Sequence, residues 1–195
     1  MLENISKYKV VLASNSPRRK ELLAGLDIDF EVKTLPDIDE SYPDTLWKEE
    51  IPVYIAKLKA EAYRNYLQPD TLLITADTIV WLEGKVYGKP QDEENAENML
   101  RILSGQTHEV ITGVCVTSMY KQEAFHALSK VRFAKLEEAE IGYYVKKYKP
   151  CDKAGAYGVQ EWIGYIGVEE LNGSFYNVMG LPVKMLYTCL KKWDL

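Results

Sequence analysis

The chain has 195 residues, with 24 Lys and Arg against 29 Asp and Glu, a formal net charge of −5. Apolar residues make up 47% and charged residues 27%, which lets one domain, or two closely packed lobes, bury a substantial core. The acidic balance argues against general nucleic-acid binding, which needs a broad basic face, and no apolar run reaches the roughly 18–20 residues that cross a bilayer.

The first eleven residues are too polar for a secretory signal, so a cytoplasmic location is expected. Residues 8–13 (YKVVLA) read as a buried first strand that ends in the polar turn SNSPRR. A helix follows over 17–25, with Ser16 as N-cap, Pro17 at the first helical position and Gly25 near the stop. Residues 30–34 form a second short strand, and the acidic stretch 37–40 (DIDE) is a loop. Residues 52–66 have helical composition. Residues 71–76 (TLLITA) make a buried strand that ends at Asp77. Segments 80–82 and 85–87 flank Glu83-Gly84 as a tight hairpin.

Residues 92–103 form a helix with acidic residues in its first turn and Gly105 beyond its end. Residues 108–119 and 123–134 are rich in strand formers and pair as a long hairpin around Tyr120-Lys121. A helix over 137–148 follows, then short strands near Tyr157 and at 163–168, and a last helix over 182–193. Strands and helices mix without strict alternation, so the expected fold is α/β around a mixed sheet.

The residues that could carry chemistry lie where these elements meet. The turn Ser14-Asn15-Ser16-Pro17-Arg18-Arg19 follows a strand and opens a helix, where free N–H groups and forked guanidinium donors suit phosphate oxygens. It is not a Walker loop, since GxxxxGK[ST] is absent. Asp77, followed by Thr78, stands at a strand end where ligands of α/β proteins gather, and could hold a metal or deprotonate a water. Glu40 in the DIDE loop could help hold a hard cation. Lys59, Lys89 and Lys153 are each ordinary alone and gain weight only in company. The segment Ala154-Gly155-Ala156-Tyr157-Gly158-Val159-Gln160 combines small residues, which allow close backbone approach, with an amide that can read a base edge. Asn177, in the loop before the last helix, reads as a tie within the turn.

Each of these features also has an ordinary structural reading: a capped helix, a solvated acidic loop, a surface lysine. His108 and His126 both fall in the long hairpin, so neither a His-based zinc site nor a Ser-His-Asp triad is supported. Cys115, Cys151 and Cys189 form no CxxC pair and read as reduced thiols in or near the core.

Taken in order, LASNSPRRKELL, PDIDE, ADTIV, GKP, SGQTHEVITGV, DKAGAYGVQ and GSFYNVMGLP resemble the blocks of the Maf family of nucleotide pyrophosphatases. They run from Leu12 to Pro182. The resemblance implies a single domain of two lobes with a cleft between them, on an elongated, twisted mixed sheet related to the inosine-triphosphate pyrophosphatases. It implies attack of water on the α-phosphate of a nucleoside triphosphate, with pyrophosphate released and a divalent cation, Mg²⁺ or Mn²⁺, required. Asp77 matches the family's general base and, with Glu40, the residues at the metal. Whether Asp77 binds the metal, takes the proton or does both stays open.

Arg18, Thr78 and Gln160 match positions tied to substrate choice, and Ser14, Arg19, Lys59, Lys89 and Lys153 match polar positions lining the cleft. Arg18 in SPRR resembles the branch acting on dTTP and UTP; a sister branch acting on 7-methyl-GTP usually has Trp there. A homodimer and a house-cleaning role, or a link to division arrest, are implied in the same way. Two departures from the family pattern lie near the expected base pocket: Lys149-Pro150-Cys151 where Glu-Pro is common, and Glu161-Trp162 where Gly often follows Gln160. A nucleotide-binding regulator and a purine-directed pyrophosphatase are the alternative readings.

Overall fold

The computed structural model describes residues 2–193. Among the described residues seven strands form one sheet in the order β2-β1-β3-β5-β6-β7, with β4 paired to β3. The strands are β1 (Lys9–Leu12), β2 (Phe30–Val32), β3 (Thr71–Leu82), β4 (Lys85–Tyr87), β5 (Thr107–Thr117), β6 (Gln122–Phe133) and β7 (Val168–Asn172). β1 pairs in parallel with β2 and β3, whereas β4 and β7 pair antiparallel with β3 and β6. The sheet is therefore mixed, as expected. The helices are α1 (Pro17–Ala24), α2 (Glu50–Ala62), α3 (Glu93–Leu103), α4 (Glu138–Tyr148), α5 (Trp162–Gly167), α6 (Phe175–Met179) and α7 (Val183–Lys191). Among the described residues no helix is long and apolar enough to cross a membrane.

The chain divides into two compact units. The first comprises the chain through Asp77, Thr112–Ala127 and the chain from Gly180 on; the second comprises Thr78–Ile111 and Leu128–Met179. In the first unit α2 lies across β1, β3 and β5. Val11, Leu73 and Cys115 from these strands meet Ala56, Ala60 and Tyr63 of α2 in a buried cluster. The approach is close because Gly113 has no side chain: a β-carbon there would lie 2.3 Å from the Pro52 backbone. Thr75, wholly buried, donates its hydroxyl to the Ala56 carbonyl at 2.7 Å, which satisfies it and fixes α2 along β3. Tyr63 extends the tie to the loop after β2, donating to the Lys33 carbonyl and accepting from Leu35 N–H.

In the second unit α3 packs on α4, and Leu100, Leu103, Phe133, Ile141 and Ile163 are buried. Asp92 caps α3 by accepting from Asn95 N–H at 2.7 Å. Glu137 and Glu140 form a capping box at the start of α4. Glu83 and Gly84 both have positive φ, 49° and 81°, as a two-residue hairpin of primed type requires.

Three expectations need correction. β3 does not end at Asp77 but continues to Leu82 with nearly every residue buried, so Asp77 stands within a strand. The stretch over 163–168 is not a strand. Ile163 and Gly167 are buried while Tyr165 and Ile166 are exposed, the four-residue spacing of a helix face, and the strand begins only at Val168. Tyr157 likewise follows a 3-10 turn rather than lying in a strand.

Candidate active site

The first unit's polar cluster starts at the end of β1. Ser14 is buried and its hydroxyl accepts from Ser16 N–H at 3.2 Å. Ser16 in turn caps α1, accepting from Arg19 N–H at 3.4 Å. This places Arg18 and Arg19 in the first helical turn. The Arg19 guanidinium faces inward. Its Nε donates to the Gly180 carbonyl at 2.8 Å and its Nη1 to the Ala76 carbonyl at 2.9 Å. Burial lowers its pKa, an effect opposed by the Asp77 carboxylate, deepened by Arg18 and opposed again by Glu40. It remains cationic at any working pH.

Asp77 follows the clamped Ala76 carbonyl and is 9% exposed. Lys59, two turns along α2 from Pro52, reaches it: Nζ lies 2.8 Å from Asp77 Oδ1 and 3.1 Å from Glu40 Oε2. One largely buried ammonium thus draws a strand carboxylate and a loop carboxylate together. Through its bond to the Ala76 carbonyl, Arg19 brings the SPRR turn beside Asp77.

The second unit holds Thr78, Lys89, Lys153 and Gln160. Thr78 is half-buried on β3, and Lys89 is exposed on the loop after β4. That loop is joined to the DKAG segment by Gly155 N–H donating to the Gly88 carbonyl at 3.0 Å. Lys153 is buried, with Nζ 2.6 Å from Asp152 Oδ1 and 3.2 Å from Glu161 Oε1. Gln160 is half-buried, and its Oε1 is enclosed without a hydrogen-bond partner among the described residues. An enclosed, unsatisfied acceptor is costly unless a ligand supplies the donor.

Sequence reasoning did not assign Glu161, Tyr144 or Asp152 to the site. Glu161 showed only as a departure from the family pattern, and Tyr144 is one aromatic among several on α4. Asn177 is a structural tie, but not within a loop turn as expected: it lies on α6, and its amide donates to the Val110 carbonyl of β5 and the Ser129 hydroxyl of β6. His108 is buried on β5 with Nε2 2.7 Å from the Tyr157 hydroxyl and its ring edge-on to Phe133. Burial pushes its pKa down to about 4, so it is neutral at pH 7.

No group of three or more His, Cys, Asp or Glu side chains among the described residues could hold a metal unaided. Asp77 and Glu40 nevertheless suit a hard cation. The two carboxylates already converge on the Lys59 ammonium, and one or two carboxylates completed by phosphate oxygens and water is the habit of Mg²⁺.

The family model described as Maf-like protein matches residues 9–193. A Phocaeicola vulgatus protein named dTTP/UTP pyrophosphatase is 65% identical over 98% of this chain and 100% of its own length. A Porphyromonas gingivalis protein of the same name is 58% identical over 98% of this chain and 97% of its own. Among solved structures, the Staphylococcus aureus Ham1 protein is similar over 92% of this chain and 98% of that chain, with 20% identity and a TM-score of 0.48.

Proposed function

The chain belongs to the Maf-like protein family, and on that footing we propose that it hydrolyses dTTP and UTP to the nucleoside monophosphate and pyrophosphate in the cytoplasm. The observation that carries the chemistry is the Asp77–Lys59–Glu40 cluster, three charged groups within 3.1 Å contacts beside a half-buried arginine. The reaction needs a water activated next to the α-phosphorus and cations that stabilise the charge gathering on the departing pyrophosphate.

In this reading Asp77 takes the proton of the attacking water. The phosphorus–oxygen bond to the water forms as the bond to the β-phosphate bridging oxygen breaks, and pyrophosphate leaves with that electron pair. Lys59 holds the Asp77 carboxylate in place, and Arg19 fixes the strand that bears it. Ser14, Arg18, Lys89 and Lys153 are assigned to the phosphates. Asp77 and Glu40 would hold Mg²⁺ or Mn²⁺ together with phosphate oxygens. That cation, when bound, would neutralise phosphate charge and acidify water.

Gln160 and Thr78 are assigned to the base. Thymine and uracil both present an N3–H donor, which matches the enclosed Gln160 Oε1 acceptor. The test is a panel of nucleoside triphosphates assayed with Mg²⁺, both products being identified. The expected result is monophosphate and pyrophosphate from dTTP and UTP well ahead of dGTP and dITP. Preference for a purine, or release of inorganic phosphate, would contradict the proposal.

A further inference from the structure

We infer that Tyr144 and Glu161 form a latch that fixes the position of Gln160 and thereby the base preference of the site. The inference rests on the pyrimidine-nucleotide reading above. Gln160 lies in a four-residue turn closed by Glu161 N–H donating to the Gly158 carbonyl at 2.9 Å. One hydroxyl ties both ends of this turn. Tyr144, wholly buried on α4, accepts from Gly158 N–H at 3.0 Å and donates to Glu161 Oε2. Burial first, and then the adjacent Glu161 carboxylate, raise the pKa of this hydroxyl, so it stays a donor.

The other carboxylate oxygen, Oε1, is anchored 3.2 Å from Lys153 Nζ, which Asp152 holds in turn. The arrangement depends on Gly158. A β-carbon there would lie 2.8 Å from Glu161 Cδ and 3.0 Å from Oε2, so any side chain would push the carboxylate off the turn. Neither Tyr144 nor Glu161 has an enclosed polar atom without a partner, whereas Gln160 Oε1 is enclosed with none among the described residues. A fully paired buried network of this kind rigidifies the backbone it holds. Discrimination by a hydrogen-bonding amide depends on where that amide sits, because a displaced acceptor no longer meets the base donor.

Tyr144 and Glu161 are thus positioning residues that act through Gln160. The test compares Tyr144→Phe, Glu161→Ala and Glu161→Gln with the parent enzyme, measuring kcat and KM for dTTP and dGTP by pyrophosphate release. Tyr144→Phe is expected to lower the dTTP:dGTP ratio of kcat/KM about ten-fold through KM for dTTP, with kcat held within about two-fold; Glu161→Ala is expected to lower the ratio as far and, because it also releases Lys153, kcat as well. Glu161→Gln keeps a carbonyl acceptor for the Tyr144 hydroxyl and is expected to recover most of the ratio.

An unchanged ratio in Tyr144→Phe, or a fall confined to kcat, would overturn the inference. Tyr144→Phe removes a single oxygen and keeps the ring stacked on Tyr148, so it gives the answer even where Glu161→Ala does not fold. A parent enzyme that fails to turn over dTTP would instead sink the pyrimidine-nucleotide reading itself.

Discussion

At the scale of single residues, burial decides what each polar group can do. Arg19 carries a forked donor into the interior because two backbone carbonyls, of Gly180 and Ala76, receive it there. The same guanidinium on the surface would gain little from such bonds. His108 shows the opposite outcome, a titratable ring kept neutral by burial. As pH falls through 6.5 the unfolded chain takes up a proton on this ring, whereas the folded chain does so only at about 4. The stabilising effect of the neutral ring is complete above the upper value, is lost progressively between the two, and changes no further below the lower one. The loss amounts to about 3 kcal/mol. His108→Gln, which keeps a hydrogen bond to the Tyr157 hydroxyl, is expected to flatten the dependence of unfolding free energy on pH across that interval. Denaturant melts at pH 7 and pH 4 measure it, and equal slopes in variant and parent would contradict the assignment.

At the scale of elements, α2 delivers Lys59 to β3, and Gly113 lets it come close enough. Gly113→Ala puts a β-carbon against backbone rather than against a side chain that could turn aside, since its nearest atoms are Pro52 C and O at 2.3 Å. The expected cost is about 1–3 kcal/mol of stability, read from urea melts, together with a fall in turnover as Lys59 is carried away from Asp77. A variant as stable and active as the parent would show that the helix shifts freely. Elements with strong local signals were legible in the sequence. Ser16 and Pro17 marked the start of α1, Asp92 that of α3, and the run of strand formers marked β5 and β6. The errors fall where local signals are ambiguous. Asp77 and Thr78 look like a strand terminus because strand interiors seldom carry charge, yet Lys59 neutralises the carboxylate from another element and β3 runs on. The apolar run at α5 fits either period by composition, and only its burial against the second unit's core decides for a helix.

At the scale of the whole molecule, the reaction class was easier to read than the contacts that serve it. The seven motif blocks could be recognised in order without knowing which atoms meet. The partners of those side chains could not be read in the same way. Arg19 bonds a carbonyl 161 residues away, and Tyr144 meets Glu161 17 residues on, with no periodic or motif signal linking either pair. Glu40 and Lys59 were both named, but that Lys59 holds two carboxylates at once is a fact of three dimensions. The central claim is that Asp77 performs the chemistry rather than holding the fold. Its most direct test is pyrophosphate release from dTTP by Asp77→Asn, measured beside thermal unfolding of the same sample. The account predicts a fall in kcat of about three orders of magnitude, on the order of 4 kcal/mol of barrier, with cooperative unfolding retained. Turnover within about ten-fold of the parent, a smaller loss than removal of a general base normally brings, would contradict it.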